Sequence, residues 1–454
     1  MLIIGWCRNV LTAFGASMHI LLPSDVFPPG SVGGAAWSAH TLALALIQRG
    51  HTVSALVPRS GAAGLSAEYV LGVPTINWGY RAPRLPFVEN YFRHEAFWSP
   101  FAEMLVREGQ LGMHQSNSYR PELIIHAQHV QTIPAAVIAG QRLRVPVVAT
   151  VRDHWPWDYF ATGLHANRVP YPQPTWASLC TDLPARLGAL RGVLALPTLP
   201  YLLAHVRRRA AFLRRADAVI AVSHYMARRL APLVPATRLH VIPNMVDPLT
   251  TERMVAAPPH LTLSTPFLLF VGKLERNKGV ELLVDIFRAL IGQKPLLPGE
   301  SLAHFPYPLV VAGTGTLKPH LEQELNRLGV RMHCLDWAPR AEVLRLLARC
   351  EVLLFPSIWG EPLSRVLLEA SMLGAAIVAM PTGGTGDIIT DGVTGLLAAT
   401  PEQFAQRLRE VLSQADLRQR LRDQARHMAR QRFTVEVVVP QVEALYRTLL
   451  ARRC

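Results

Sequence analysis

The chain has 454 residues, half of them hydrophobic and only 17% charged, and its 46 Lys and Arg against 32 Asp and Glu give a formal net charge of +14. That length suits two or three domains, and so apolar a composition excludes a chain that is disordered throughout. Five cysteines (Cys7, Cys180, Cys334, Cys350 and Cys454) are scattered without a C-x-x-C pair, which argues against a disulfide scaffold or a thiolate zinc site and suits a reducing cytoplasm.

The first seventeen residues, MLIIGWCRNVLTAFGAS, are apolar, but Arg8 and Asn9 interrupt them and a strand-like run follows at once. Residues 1–17 therefore read as an extension, or as the product of an upstream start with Met18 as the beginning, in preference to a cleaved leader. The pattern then alternates buried-type strands with helices. His19–Leu22 is a strand, Gly30–Gly34 a glycine-rich turn and Ala35–Arg49 a helix closed by Gly50, with Thr52–Val57 the next strand. Glu122–Ile125, Val145–Thr150 and Ala218–Val222 continue the series.

Residues 155–205 break the rhythm, too long for a bare connection, and read as an irregular basic insertion. After Pro200, Leu202, Leu203, Val206, Ala210 and Leu213 form an apolar stripe, while Arg207, Arg208, Arg209, Arg214 and Arg215 take other faces. Such a helix either turns a solvated basic side outward or lies on an anionic bilayer, and 193–215 is the candidate membrane contact. The longest apolar stretch, Val193–Val206, is broken by Pro197 and Pro200, so a transmembrane helix is not expected.

Beyond residue 260 the alternation repeats, with strands at Phe267–Val271, Pro308–Ala312, Met332–Leu335, Val352–Phe355 and Ala375–Ala379. The fold class is α/β: two doubly wound parallel-sheet domains, 18–248 and 249–434, meeting near a Pro-rich stretch at 243–266. Residues 435–454 add a helix with no strand left to pair with. Charge is uneven between the halves: residues 1–250 carry 22 Arg, no Lys and 12 acidic residues, the remainder 24 basic and 20 acidic. The first half should face something anionic. Its arginines are spread out and no compact aromatic-and-basic module is visible, so no specific nucleic acid is expected.

Chemistry concentrates in the second half. Lys273 ends a strand and Lys278 precedes the next helix, in Gly272-Lys-Leu-Glu-Arg-Asn-Lys-Gly279; two ammonium groups there would neutralise a diphosphate leaving group. By itself such a turn is more often merely a basic surface loop. Glu361-Pro-Leu-Ser-Arg-Val-Leu-Leu-Glu369 follows a strand, with Pro362 suited to a first helical turn and the helix end suited to phosphate. On a continuous helix the two carboxylates stand roughly 12 Å apart, bracketing an anion site. The bland alternative is a capping Glu and a solvated Glu. Gly383-Gly384 and Gly33-Gly34 permit close backbone approach to a ligand, or simply turn the chain.

Taken together, in this order and spacing, these motifs resemble glycosyltransferase family 4, retaining nucleotide-sugar enzymes of the GT-B fold. Supporting phrases are Arg215-Ala-Asp-Ala-Val-Ile-Ala-Val-Ser223, Ile242-Pro-Asn-Met-Val-Asp247, Val311-Ala-Gly-Thr-Gly315 and Asp391-Gly-Val-Thr-Gly-Leu396. The resemblance runs from about Met18 to the C-terminus and is least clear over 155–205. It implies two Rossmann-like domains facing a cleft, a first (acceptor) domain and a second (donor) domain, with the last helix crossing back. It further implies that Lys273 and Lys278 hold the diphosphate, Glu361 the donor sugar and Glu369 the ribose. Gly33, Gly34, Gly383 and Gly384 would line the donor, and Trp337 would sit beside the base. No cofactor or metal is expected.

The departures bear on specificity. Leu363 and Ser364 stand where the family often has an aromatic residue and Gly, and Arg365 either reaches an anionic donor group or caps the helix surface. His126-Ala-Gln-His129 puts Gln128 at the second position of a common His-x-His; His126 or His129 contacts the donor sugar or is structural. Arg152 stands where His is common, and Asp153 and His154 are candidate acceptor contacts. The resulting expectation is a retaining, metal-independent hexosyltransferase acting on a glycan or lipid-linked acceptor in envelope polysaccharide or glycolipid synthesis, with UDP or GDP as carrier. Its expected location is cytoplasmic, peripheral on the inner membrane face. The alternative is a non-catalytic GT-B binder or scaffold.

Overall fold

A computed structural model describes residues 17–30, 33–61, 64–83, 88–115, 122–166, 168–170, 175–261, 266–292 and 305–452. The N-terminal extension (apart from Ser17), Cys7 and Cys454 lie outside them. Among the described residues, Cys180, Cys334 and Cys350 are free thiols.

The first domain is built on β1 (His19–Pro23), β2 (Thr52–Ser60), β3 (Gly64–Val70), β4 (Val73–Tyr80), β5 (Leu123–Ala127) and β6 (Val147–Val151). The short pair β7 (Leu164–His165) and β8 (Val169–Pro170) stands apart, and β9 (Ala218–Ala221) and β10 (Leu239–Val241) complete the main sheet. Its order is β10-β9-β6-β5-β1-β2-β4-β3, parallel except for the outer hairpin β3–β4. The apolar runs of β1, β5, β6 and β9 are buried because helices cover both faces. The hairpin escapes a sequence reading: its turn is Leu71-Gly72, both at positive φ, where Asn-Gly is the recognisable signal, and β3 is nearly all exposed.

The second domain holds β11 (Leu268–Val271), β12 (Leu309–Ala312), β13 (Met332–Cys334), β14 (Val352–Phe355), β15 (Ala376–Ala379) and β16 (Leu396–Leu397). They form an all-parallel sheet in the order β13-β12-β11-β14-β15-β16. The strand order reverses beside β11, where a doubly wound sheet opens its ligand crevice at the carboxyl ends.

Two chain crossings lie side by side. Val246 N–H donates to the Phe433 carbonyl at 2.8 Å, and Val435 N–H to the Val246 carbonyl at 3.1 Å. The helix Val435–Ala451 then packs on the first domain, its Val438, Val439, Val442 and Tyr446 sharing a buried cluster with Ile20, Leu42 and Ile220. Glu443 anchors it, accepting from Arg49 at 2.6 and 2.9 Å.

The insertion is not irregular. From Trp176 it is helical (Trp176–Leu187, Ala189–Ala195, then Leu199–Arg215), and it buries a small core of its own around Leu179, Leu183, Ala195, Leu199 and Leu202. Residues Ala189–Arg215 are long and apolar enough, by length and composition, to cross a membrane; counting uninterrupted apolar residues misses this because Arg191 intervenes. The buried stripe of the basic helix is also displaced from the expected one. Leu199, Leu202, His205, Arg209, Ala210 and Leu213 face inward, so Arg209 belongs to the core side and not to the solvated one.

Candidate active site in the interdomain cleft

The carboxyl ends of the two sheets meet. Beyond β6, His154 Nε2 lies 2.8 Å from the Gly360 carbonyl, and beyond β9, Ser223 Oγ donates to the Pro362 carbonyl. His224 Nδ1 pairs with Asp387 at 2.7 Å. Each contact joins a segment at the sheet end of the first domain to one in the second, the last between the helix starts His224–Leu230 and Thr385–Ile388.

Lys278 follows β11 in a single 3-10 turn closed by Gly279 at φ +73°. Its Nζ is 2.5 Å from Glu361 Oε1 and 4.3 Å from the centroid of the Trp359 ring. Ser357 Oγ donates to the same carboxylate oxygen at 3.0 Å. Glu361 is buried and Lys278 half-buried, so this ion pair is a pre-positioned acid and cation at a strand end. Lys273 is exposed beside it in sequence, with its backbone carbonyl holding the turn.

The helix bearing Glu369 begins at Arg365, capped by Ser364 Oγ on Leu367 N–H at 3.4 Å. Pro362 and Leu363 are outside it, so the helical spacing expected between Glu361 and Glu369 does not hold. Gly383 and Gly384 pack against this non-helical segment: a Cβ on either would come within 2.4 Å of the Glu361 or Pro362 backbone. These two glycines are demanded by backbone packing behind Glu361. Gly33 caps the helix Gly34–Gln48 with open space where its Cβ would be, and a Cβ on Gly34 would stand 3.2 Å from that of Arg365.

Glu369 accepts from Arg340 at 2.9 and 3.1 Å and from Arg365 at 2.8 Å. Arg365 neither caps a surface nor projects toward solvent. It is buried, its pKa pushed down to about 10 by burial although Glu369 favours the charge, and it donates to Ser38 and Thr41 of the first domain at 3.2 and 3.3 Å. Between the domains lies a cavity of about 620 Å³, a size suited to a small-molecule ligand. Its walls include Gly34, Trp37, exposed Trp337, Arg340 and Glu369. Lys278 and Glu361 are not in that wall.

His126 is a correction. It is buried within β5, with Nδ1 2.5 Å from Tyr446 Oη of the crossing helix and Nε2 2.7 Å from Thr150 Oγ1. Burial, reinforced by Arg152, holds its pKa well below the usual value. A neutral ring with both nitrogens occupied does not reach a donor sugar. His129 lies between Asp25 and Asp153 at 2.7 Å each. Burial opposes its charge, but the two carboxylates win and raise its pKa to about 10. It is an imidazolium at neutral pH, donating from both nitrogens, and so orients Asp153 instead of accepting a proton. Arg152, buried, donates to Gln128 O and Asn244 Oδ1. Gln128 has no partner for either side-chain amide atom among the described residues.

Arg340, Trp359, Ser357 and Asp25 were not singled out from sequence. Trp359 directly precedes Gly360-Glu361, and Asp25 lies two residues past β1; strand-end position was the available signal for both.

The profile described as Glycosyltransferase Family 4 matches residues 32–248, and that described as Glycosyl transferases group 1 matches residues 258–428. Together they span most of the chain. It belongs to glycosyltransferase family 4. This family 4 glycosyltransferase is 26% identical over 457 aligned positions to a glycogen synthase of Mycobacterium tuberculosis, covering 96% of this chain and 95% of the other. It is 31% identical to an alpha-maltose-1-phosphate synthase of Mycolicibacterium smegmatis, over 44% of this chain and 53% of that one. The fold is GT-B. Among solved structures, Anabaena Alr3699/HepE in complex with UDP superposes with a TM-score of 0.62 at 18% identity, covering 95% of this chain and all of that one. A sucrose-phosphate synthase from Thermosynechococcus elongatus does so at 0.65 and 19%, covering 96% and 100%.

Proposed function

We propose that this family 4 glycosyltransferase transfers a hexose-type sugar, with retention and without a metal ion, from a nucleoside diphosphate sugar to a glycan or lipid-linked acceptor. The observation that carries the reading is the Lys278–Glu361 pair at the cleft, with Glu369 on the adjoining cavity wall. Exposed Lys273 and half-buried Lys278 supply the positive charge that a departing diphosphate needs, the work a divalent cation does in other sites. Glu361, held by Ser357 and Lys278, is positioned to accept from sugar hydroxyls. Glu369 and Trp337 share the apolar cavity, which fits a ribose and a stacked base. The leaving phosphate itself takes the acceptor proton on the same face, so no conventional general base is assigned; His129, already protonated, does not serve as one.

We further propose a cytoplasmic enzyme bound peripherally to an anionic membrane and serving envelope polysaccharide or glycolipid synthesis, and the surface of the insertion supports the membrane part. Leu187, Leu190, Val193 and Leu194 are exposed on the two consecutive helices Trp176–Leu187 and Ala189–Ala195, with Arg191 exposed among them and Arg207, Arg214 and Arg215 exposed on the helix that follows. Apolar side chains flanked by arginines suit a surface of anionic lipid.

The deciding experiment is a thermal-shift screen with UDP, GDP and ADP and their common hexose conjugates, followed by turnover of whichever stabilise the chain. Ligand at a hundred times its dissociation constant stabilises by about 2.7 kcal/mol. Stabilisation without any release of nucleotide would favour the scaffold alternative, and no stabilisation by any of them would overturn the donor assignment.

A further inference from the structure

Arg209 sits on the inner face of the basic helix, 1% exposed. Its guanidinium lies 4.7 Å from the centroid of the Trp155 ring and 5.8 Å from that of Tyr159. Among the described residues, Nε, Nη1 and Nη2 have no hydrogen-bond partner. A buried guanidinium with five unused donors is costly, because the charge has lost water and gained nothing that accepts from it. The nearby carboxylates are committed elsewhere. Asp153 accepts from His129 and from Trp155 N–H, and Asp158 from the backbone N–H groups of Phe160, Thr162 and Gly163. The neighbouring imidazoles bring no negative charge. His94 and His205 are kept neutral chiefly by burial and secondarily by Arg209 itself, their pKa values lowered to about 4 and about 3. Gln131, hydrogen-bonded to His94, leaves its Oε1 unpartnered.

The place of this guanidinium in the fold gives it a use. Trp155, only partly buried, separates Arg209 from the sheet-end group of Asp25, His129 and Asp153: its ring packs on His129 at 6.1 Å and on His94 at 5.5 Å. That ring thus lies between the guanidinium and the first-domain side of the cleft. The segment Phe92–Ala96 that carries His94 is a π-helical turn, a form frequently found at functional sites.

We propose that Arg209 recognises an anionic group, a carboxylate or a phosphate, carried by the acceptor, with Trp155 as the movable wall of that subsite. The planar fork binds either group in a bidentate manner. The inference rests on the glycosyltransferase reading for the word acceptor, but anion capture by Arg209 is measurable without it.

The test uses the full chain saturated with UDP or ADP, so that the lysines of the donor site are occupied. Inorganic phosphate is then titrated while the melting temperature is followed, in the wild type and in Arg209→Gln and Arg209→Lys. The expected result is a phosphate-dependent rise in the wild type, absent in Arg209→Gln and at least tenfold weaker in Arg209→Lys. With UDP-glucose or ADP-glucose as donor, glucose 1-phosphate and glucuronate serve as matched acceptors against glucose. One of the two anionic acceptors should exceed glucose at least tenfold in kcat/KM, and Arg209→Gln should remove that preference; which one leads identifies phosphate or carboxylate. A nucleotide-dependent rise with no phosphate effect in the wild type overturns the subsite and leaves the donor reading standing. A phosphate effect lost in Arg209→Gln, with no nucleotide response, keeps the subsite and removes the donor reading. Equal phosphate responses in wild type and Arg209→Gln also overturn it, as would a preference for neutral glucose in the wild type; should Arg209→Gln not fold, the wild-type and Arg209→Lys arms decide.

Discussion

Arg365 and Glu369, one helical turn apart and both buried, are joined at 2.8 Å, and the same guanidinium reaches Ser38 and Thr41 in the other domain. The carboxylate assigned to the ribose is therefore tied to one of the contacts between the domains. Removing one partner of a buried pair leaves an uncompensated charge and costs about 3–5 kcal/mol. Glu369→Ala is expected to lose stability on that scale as well as nucleotide affinity. Isosteric Glu369→Gln should retain more stability while still weakening nucleotide binding. Calorimetric unfolding and nucleotide titration of both variants check this, and a Glu369→Ala protein as stable as the wild type would contradict it.

Lys278→Ala touches a half-buried group whose partner Glu361 also has Ser357. Its main effect should fall on turnover: a decrease of about a hundred- to a thousandfold in kcat, the range for losing one electrostatic stabiliser of a developing charge. Steady-state kinetics with the donor found in the nucleotide screen measures it. A near-normal kcat would show that the lysine does not face the leaving group.

Gly279 closes the turn that carries Lys278. Its φ is +73°, and an added Cβ would stand 1.9 Å from the Pro356 carbonyl oxygen. Gly279→Ala is expected to cost at least the ~1–2 kcal/mol of left-handed backbone strain, and to displace Lys278 from Trp359 and Glu361. A lower melting temperature together with weaker donor binding is the expected pair of readings.

Two histidines give stability opposite dependences on pH. His126 has a depressed folded pKa, so below about pH 6.5 only the unfolded chain takes up this proton and stability is lost as the pH falls. His129 is raised to about 10, so the folded chain keeps its proton where the unfolded chain has released it. Its contribution is complete below about pH 6.5 and is lost as the pH climbs toward 10, by up to about 1.4 kcal/mol per unit. Denaturant unfolding from pH 5 to 10 should show a maximum near neutrality, and His129→Gln should flatten its alkaline side.

Leu190 and Leu194, 75% and 59% exposed on the insertion helix Ala189–Ala195, touch little of the protein. Replacing both with Glu should change stability by less than about 1 kcal/mol and abolish co-flotation with anionic vesicles. Flotation at low salt, with unchanged melting temperature, is the measurement. Persistent binding would move the contact elsewhere.

Much of this architecture was legible from amino-acid order alone. Parallel strands such as Ile20–Leu22 or Val352–Phe355 are buried on both faces and so appear as unbroken apolar runs, whatever packs on them. The motif residues Lys278, Glu361 and Glu369 were likewise visible, because a strand end or a helix start fixes where a short segment delivers its side chain. What the sequence could not decide were partners distant along the chain. That His126 meets Tyr446, that Arg365 crosses to Ser38, and that Arg209 turns inward while Arg208 stays exposed are settled only when the sheets, the insertion and the last helix close on one another. Local periodicity orients a residue to within a face of its element; burial and charge pairing, which depend on what lies across the gap, choose among the side chains at the edges of that face.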